Sequence, residues 1–337
     1  MAVAAGRPRT LAAGLAALAA CLALIACLSI AVGPRSIDLP AVAEALWGGD
    51  GSIENTVVQD IRVPRTLLGL LVGAALGLSG ALLQGVTRNP LADPSIMGLS
   101  AGAAAFVVAG IAVLDIRDLT GYVWLGFLGT AAAGLLVYAI AAAGRDGPTP
   151  VKLALAGAAV AAGLWSLTTG IVMTNTDALA ELRLWQVGSL AGRNMPVLEQ
   201  VAPFLGAGLV LALLMGRTLN VLALGESQAQ ALGQRVTLAR AAVLLAVAVL
   251  CGAATAACGP IVFVGLVVPH VARALCGPDY RWIIPYSLVL APAILLAADV
   301  IGRLVMRPGE LEVGVVLGVL GAPFFIALVR YRNLASL

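Results

Sequence analysis

Residues 241–272 read AAVLLAVAVLCGAATAACGPIVFVGLVVPHVA, 32 positions without an Asp, Glu, Lys or Arg. As one helix rising 1.5 Å per residue this stretch would reach ~48 Å, against a hydrocarbon core of about 30 Å. The pair Gly259-Pro260 interrupts it, and such a pair ends one helix and can open the next. The stretch is therefore expected to hold two membrane crossings.

Eight further uncharged runs lie on either side: 10–34, 66–87, 94–114, 119–144, 153–176, 200–216, 282–298 and 313–329. Each suits one crossing of roughly 17 to 25 residues, giving ten in all. Charge placement agrees with an even number. Arg7 and Arg9 precede the first run and Arg330 and Arg332 follow the last, so the positive-inside rule puts both termini in the cytoplasm. With ten spans, 12 of the 20 basic residues fall inside (Arg7, Arg9, Arg88, Arg145, Lys152, Arg217, Arg235, Arg240, Arg273, Arg281, Arg330, Arg332), while 13 of the 17 acids fall outside. Segments 36–60 and 178–197 are then external, and 88–93, 145–149 and 225–233 cytoplasmic. Leu24-Ile25-Ala26-Cys27 has the look of a lipoprotein cleavage site, but its apolar run continues through Val32 and is read as the first span.

Composition excludes the water-soluble classes. Of 337 residues, 61% are hydrophobic and 11% charged, with mean hydropathy +1.02, whereas soluble domains carry about 25% charged residues. The five cysteines are odd in number and lack C-x-x-C spacing, which argues against a disulfide framework or a cysteine metal site. Gly69, Gly73 and Gly77 recur every four residues, as do Gly98 with Gly102 and Gly314 with Gly318. Small residues on one face let membrane helices approach closely.

The polar residues narrow the function. An ion-coupled carrier usually places ionisable groups near mid-membrane, and the uncharged runs supply none. The one histidine, His270, reads as a structural residue. A polytopic membrane enzyme would need a nucleophile with its base, or a set of metal ligands, and one histidine gives little to build from. The only lysine, Lys152, sits in no Gly-x-x-x-x-Gly-Lys-Ser/Thr motif, so the chain has no ATP-hydrolysing loop of its own.

Four polar segments stand out in order. The first is Arg62-Val63-Pro64-Arg65, followed by Gly80, Gln84 and the loop Arg88-Asn89-Pro90-Leu91-Ala92-Asp93-Pro94. The second runs Trp185-Gln186-Val187-Gly188-Ser189-Leu190. The third is Leu222 to Gly233, a polar helix-forming stretch with Gly225 and Gly233 at its ends, which by composition reads as an amphipathic surface loop or as a helix that seats in a groove on a soluble partner. The fourth is Gly259 to Leu266 through Pro269, His270 and Arg273, then Asp299, Arg303, Glu310 and Gly321-Ala322-Pro323. Together, over about residues 15 to 332, they resemble the permease subunits of ABC importers for ferric siderophores, haem and cobalamin.

That resemblance implies an all-α permease of ten transmembrane helices, one domain over residues 1–337, multi-pass in the bacterial inner membrane. It implies a pair with itself or a similar permease, cytoplasmic ATPase subunits that bind ATP and Mg, and an extracytoplasmic binding protein. No cofactor, metal or nucleic acid is expected on this chain. The cargo it suggests is a ferric siderophore, with cobalamin or haem as the alternatives. Coupling to the ATPase would fall on a helix at about residues 222 to 233, through Leu224, Gly225, Glu226, Ser227, Ala229, Gln230, Leu232 and Gly233. Arg62, Arg65 and Arg303 would receive acids of the binding protein. The loop Arg88, Asn89, Pro90, Asp93, Pro94 would be a cytoplasmic motif. Spans five and ten would line the path, with Thr168, Thr169 and Thr174 on the fifth. From the residues alone, Asp299 and Arg303 read as an i, i+4 surface pair worth about 0.3 to 0.5 kcal/mol, and the arginines as snorkelling side chains. In one departure, Glu310-Leu311-Glu312 stands where the family has Glu-Leu-Pro, placing an added acid near Arg303 and Arg307.

Overall fold

The computed structural model describes residues 8–48, 51–94, 98–116, 118–143 and 149–331. Arg7, Arg145 and Arg332, three of the residues used to orient the chain, lie outside them, as does most of the 145–149 segment. Fifteen α-helices follow in order: α1 (Pro8–Ala31), α2 (Leu39–Trp47), α3 (Ile53–Thr56), α4 (Val63–Thr87), α5 (Leu99–Leu114), α6 (Leu119–Ala142), α7 (Pro150–Thr174), α8 (Thr176–Gln186), α9 (Met195–Leu214), α10 (Gly216–Ala223), α11 (Glu226–Ala231), α12 (Val236–Cys258), α13 (Val264–Cys276), α14 (Tyr280–Val305) and α15 (Val313–Tyr331). A π-helical turn, Val57–Arg62, leads into α4. No strand occurs among the described residues.

Seven of these helices are long and apolar enough to cross a membrane, and three shorter apolar ones, Leu99–Leu114, Val264–Cys276 and Val313–Ala327, complete the ten expected segments. Their boundaries follow local chemistry. Asp118, Thr149, Asn175 and Asp279 each accept a backbone N–H in the first turn of the helix they precede. Gly259 and Gly277 end α12 and α13 at φ of +73° and +82°, a region that favours glycine.

At the centre runs α4, almost wholly buried against α14, α12, α13 and α9. Its glycines make this possible. A Cβ on Gly69, Gly73 or Gly77 would strike Leu296, Pro292 or Ala291 of α14, and one on Gly80 would overlap the carbonyl of Gly265 in α13. Gly102 of α5 and Gly129 of α6 meet the same way. At the periphery α1 buries only Ser29, and Tyr286 of α14 donates to its Leu11 carbonyl at 2.8 Å.

The break at Gly259-Pro260 falls where the sequence places it, but the second helix is a half-helix. Only 13 residues long, α13 starts four positions beyond Pro260. Its first turn lies beside Leu76, ~20 Å from the start of α4, because a Cβ on Gly265 would touch the Leu76 carbonyl at 3.2 Å. The same point lies 3.3 Å from Asp93 Oδ2 and from Pro94 Cδ. Residues 92–94 thus re-enter the bundle to mid-depth and α5 begins inside it. The Arg88 to Pro94 loop is therefore exposed at its start and buried at its end. Arg88 and Asn89 are exposed, Pro90 half-buried, and Asp93 and Pro94 buried.

The end of the bundle where α1 finishes carries α2, α3 and α8, and is termed the α2 face. The opposite end carries α10 and α11, and is termed the α11 face.

Candidate functional site

At the α2 face, α4, α14 and the connection from α14 to α15 bring four charged side chains together. Arg65 reaches Asp299 with Nη2 at 2.7 Å and Nε at 3.1 Å, and Glu310 with Nη1 at 2.6 Å. Asp299 also receives Arg303 Nη2 at 2.8 Å. Arg303 continues to the carbonyls of Ser29 and Val32 and to Ser29 Oγ, each at 2.8 Å. Arg62 donates to the carbonyls of Ile30, Ala31 and Arg35 at 3.0, 2.7 and 2.6 Å, and Arg307 to Gly33 at 2.9 Å. The last carbonyls of α1 have no partner within their own helix and carry partial negative charge, so three arginines from elsewhere satisfy that end.

This changes the reading of the three expected docking residues. Arg62, Arg65 and Arg303 are 3%, 5% and 1% exposed. They neither snorkel nor form a surface pair, because taking a guanidinium out of water demands paired carboxylates and carbonyls, which the fold supplies. A carboxylate from outside would reach them only by exchanging with an internal acceptor. Glu310, whose side chain is 27% exposed, is the accessible one. The acid that meets the arginines is Glu310 rather than Glu312, whose carbonyl accepts the N–H groups of Val315 and Val316 in the first turn of α15. Helix α15 therefore starts cleanly without the family's proline. Sequence reading missed Ser29 and its 2.8 Å bond to Thr66, since a lone hydroxyl in an apolar run gives no sign of its partner.

The segment Trp185 to Leu190 fastens this face. Ser189 N–H donates to Cys258 at the end of α12, and Gly314 N–H of α15 donates to Gly188 at 3.0 Å. A Cβ on Gly314 would overlap the Val187 carbonyl. Gln84 bridges α4 to α13, donating to Gly265 and Leu266 and accepting from Arg273. His270 is buried with Nδ1 3.0 Å from the Leu266 carbonyl, in keeping with a structural residue.

At the α11 face, Asn220 of α10 donates to Asp279 at 2.6 Å and accepts from Tyr280 N–H at 2.9 Å, fixing α10 on α14. Arg281 grips the same Asp279 carboxylate, and chiefly that contact, with Asn220 adding to it, holds its pKa down to about 2. The short helix α11 lies between Gly225 and Gly233, both at positive φ, as the sequence implied. Glu226 pairs with Arg240 of α12. Ala229 is fully buried and Gly225 is covered, so neither offers a contact surface. The exposed face is Leu224, Glu226, Ser227, Gln230, Leu232 and Gly233, with Leu224 58% and Leu232 65% exposed.

Between the two faces, α7 and α15 leave open sides. Gly163, Gly170 and Gly318 have nothing within 4 Å of an added Cβ, so Gly318 is the one glycine of the noted pairs that packs nothing in this chain. Leu155, Leu167, Met173, Val319, Leu320 and Phe324 are exposed beside them. The hydroxyls of Ser166, Thr168, Thr169 and Thr174 all turn back to carbonyls of α7. None of the five cysteines is in a disulfide. Among the described residues no three or more His, Cys, Asp or Glu side chains are grouped to hold a metal.

Comparison with known proteins accounts for this plan. Residues 21–331 match the FecCD transport family. The chain is 48% identical over 307 residues to the ferric enterobactin transport system permease protein FepD of Escherichia coli, covering 91% of each. It is 41% identical over 304 residues to the probable siderophore transport system permease protein YfiZ of Bacillus subtilis, covering 90% of this chain and 91% of the other. It is 38% identical over 298 residues to the cobalamin import system permease protein BtuC of Halobacterium salinarum, covering 88% and 79%. Among solved structures, an inward-facing metal-chelate type ABC transporter superposes with a TM-score of 0.82 at 26% identity, covering 94% of this chain and 98% of that one.

Proposed function

The chain belongs to the FecCD transport family of ABC permeases, and from this premise we propose that it is the permease subunit of an ATP-driven importer of ferric siderophores. The observation that supports the cargo is its full-length likeness to siderophore permeases, a cobalamin permease being less similar. The α11 face is cytoplasmic in this reading, and its exposed Leu224 and Leu232, ringed by Glu226, Ser227 and Gln230, seat on a separate ATPase subunit. The loop residues Arg88, Asn89 and Pro90 lie beside that contact. The α2 face is external and receives a binding protein. Arg65 is the docking arginine with an exchangeable partner, while Arg62 and Arg303 hold the end of α1 beneath it.

The path forms where the open sides of α7 and α15 meet those of a second permease copy. With its hydroxyls bonded to its own backbone, α7 offers a passing chelate apolar surface and glycine, and little to hold it. Transport is then alternating access, with ATP-driven closure of the motors moving α11 against α10 and α12. The test is uptake by the purified permease, its ATPase and its binding protein in liposomes. ATP-dependent accumulation of iron given as a siderophore supports the reading. Accumulation of cobalamin or haem in its place, or uptake driven by an ion gradient without ATP, overturns it.

A further inference from the structure

On the α2 face, α2 buries one stripe and leaves another bare. Val42 and Ala45 pack against Val58, with Ile30, Ile37 and Val63 around them, and Gln59 Nε2 donates to the Ala45 carbonyl at 2.6 Å. Leu39, Ala43, Leu46 and Trp47, spaced i, i+4, i+7 and i+8, form an adjacent stripe that is exposed. Trp47 is 91% exposed. Spaced that way, the four side chains share one helix face.

The contacts of α2 fix its depth. Ile30 belongs to the last turn of α1 and Val63 to the first turn of α4, so α2 lies across the ends of two membrane-spanning helices. The spans it crosses are themselves greasy at this end: Leu24 and Leu28 of α1, Ile61 of the π-helical turn and Leu67 of α4 are exposed. Its charged neighbours Asp38, Glu44 and Asp60 are exposed beside it, a polar edge for a surface that is otherwise greasy. We propose that the Leu39, Ala43, Leu46 and Trp47 face of α2 rests in the lipid headgroup and acyl boundary, as an interfacial helix that anchors the α2 face to the bilayer. Tryptophan at that depth buries its ring while its N–H stays hydrated, and a helix of this pattern lies in the interface rather than spanning it. The acidic edge favours zwitterionic over anionic headgroups. The anchor steadies the stretch leading into α2, whose Arg35 carbonyl, with the end of α1, accepts from Arg62.

Nitroxide labels at Ala43→Cys, Leu46→Cys and Glu44→Cys, in full-length protein lacking the native cysteines and held in zwitterionic nanodiscs, test this by collision with oxygen and with a water-soluble nickel chelate. The expected result is an oxygen-to-nickel accessibility ratio several-fold higher at 43 and 46 than at 44. Equal, water-like ratios at all three would overturn the proposal. So would labels at 43 and 46 that are shielded from nickel only when a binding protein is added, which would assign the stripe to a protein partner. Should the cysteine variants fold poorly, native fluorescence gives the same answer: lipids brominated near the headgroup should quench the wild-type chain more than Trp47→Phe, and equal quenching counts against the anchor.

Discussion

Arg65 and Asp299, 234 residues apart in sequence, meet through two nitrogens at 2.7 and 3.1 Å inside the bundle. The pair ties α4 to α14, and both are nearly inaccessible to water. Removing one partner strands a buried charge, at a cost of about 3 to 5 kcal/mol. Arg65→Ala and Asp299→Ala should therefore melt at clearly lower temperature in nanodiscs, and Asp299→Asn by less. Arg303→Glu, facing the carbonyls of Ser29 and Val32, should lose folded protein outright. Wild-type melting for Asp299→Ala would contradict the buried assignment.

Docking at Arg65 gives a different signature. Since Glu310 is the accessible acceptor, Glu310→Gln should leave thermal stability within about 1 kcal/mol of wild type while quickening association with an acidic binding protein. The gain should shrink as salt rises, because partly exposed charges are screened over about 8 Å at physiological ionic strength. Stopped-flow association at several salt concentrations reads this, and an unchanged, salt-insensitive rate removes Arg65 from the docking surface.

The α11 face makes a prediction about assembly. Leu232→Asp and Leu224→Asp place a charge where an apolar contact is required. Each should weaken ATPase association by roughly tenfold, about 1.4 kcal/mol, with membrane insertion intact. Gly225→Pro should act more severely, since φ of +112° lies outside what proline allows. Glu226→Leu also frees Arg240, so its effect combines a lost contact with a loosened helix. Normal copurification of ATPase with Leu232→Asp would argue that the face is turned to another partner.

How much of this was legible beforehand depends on distance. The ten apolar segments could be read because hydropathy is a local property, and α11 because glycines at both ends of a polar stretch are a local signal. The half-helix α13 could not be, since its depth is set by Gly80 meeting Gly265 across more than 180 intervening residues. Arginines near span ends read as outward-facing for the same reason. Nothing near Arg62 or Arg303 in sequence announces that the carbonyls ending α1 lie beneath them.

Acid should loosen the α11 face. With its pKa held near 2 in the folded chain, Asp279 contributes stability that is complete above about pH 4 and lost as pH falls from there toward 2. Asp279→Asn should melt below wild type at neutral pH, with the gap closing as the buffer is acidified. A gap that stays constant with pH would show that the carboxylate's charge is not what binds Arg281 and Asn220.

Glycines separate packing from passage. Gly80→Leu must displace the Gly265 backbone, and Gly314→Leu the Val187 carbonyl, so both should abolish folded protein, overpacking here exceeding the usual 1 to 3 kcal/mol. Gly163, Gly170 and Gly318 face open space in one chain. Gly163→Leu, Gly170→Leu and Gly318→Leu should each leave expression and melting of the isolated permease near wild type, yet slow uptake in the assembled transporter, where two copies narrow the shared path. Measuring melting and uptake on the same preparations distinguishes the two classes. Unimpaired uptake in all three open-site variants would place the path elsewhere than α7 and α15.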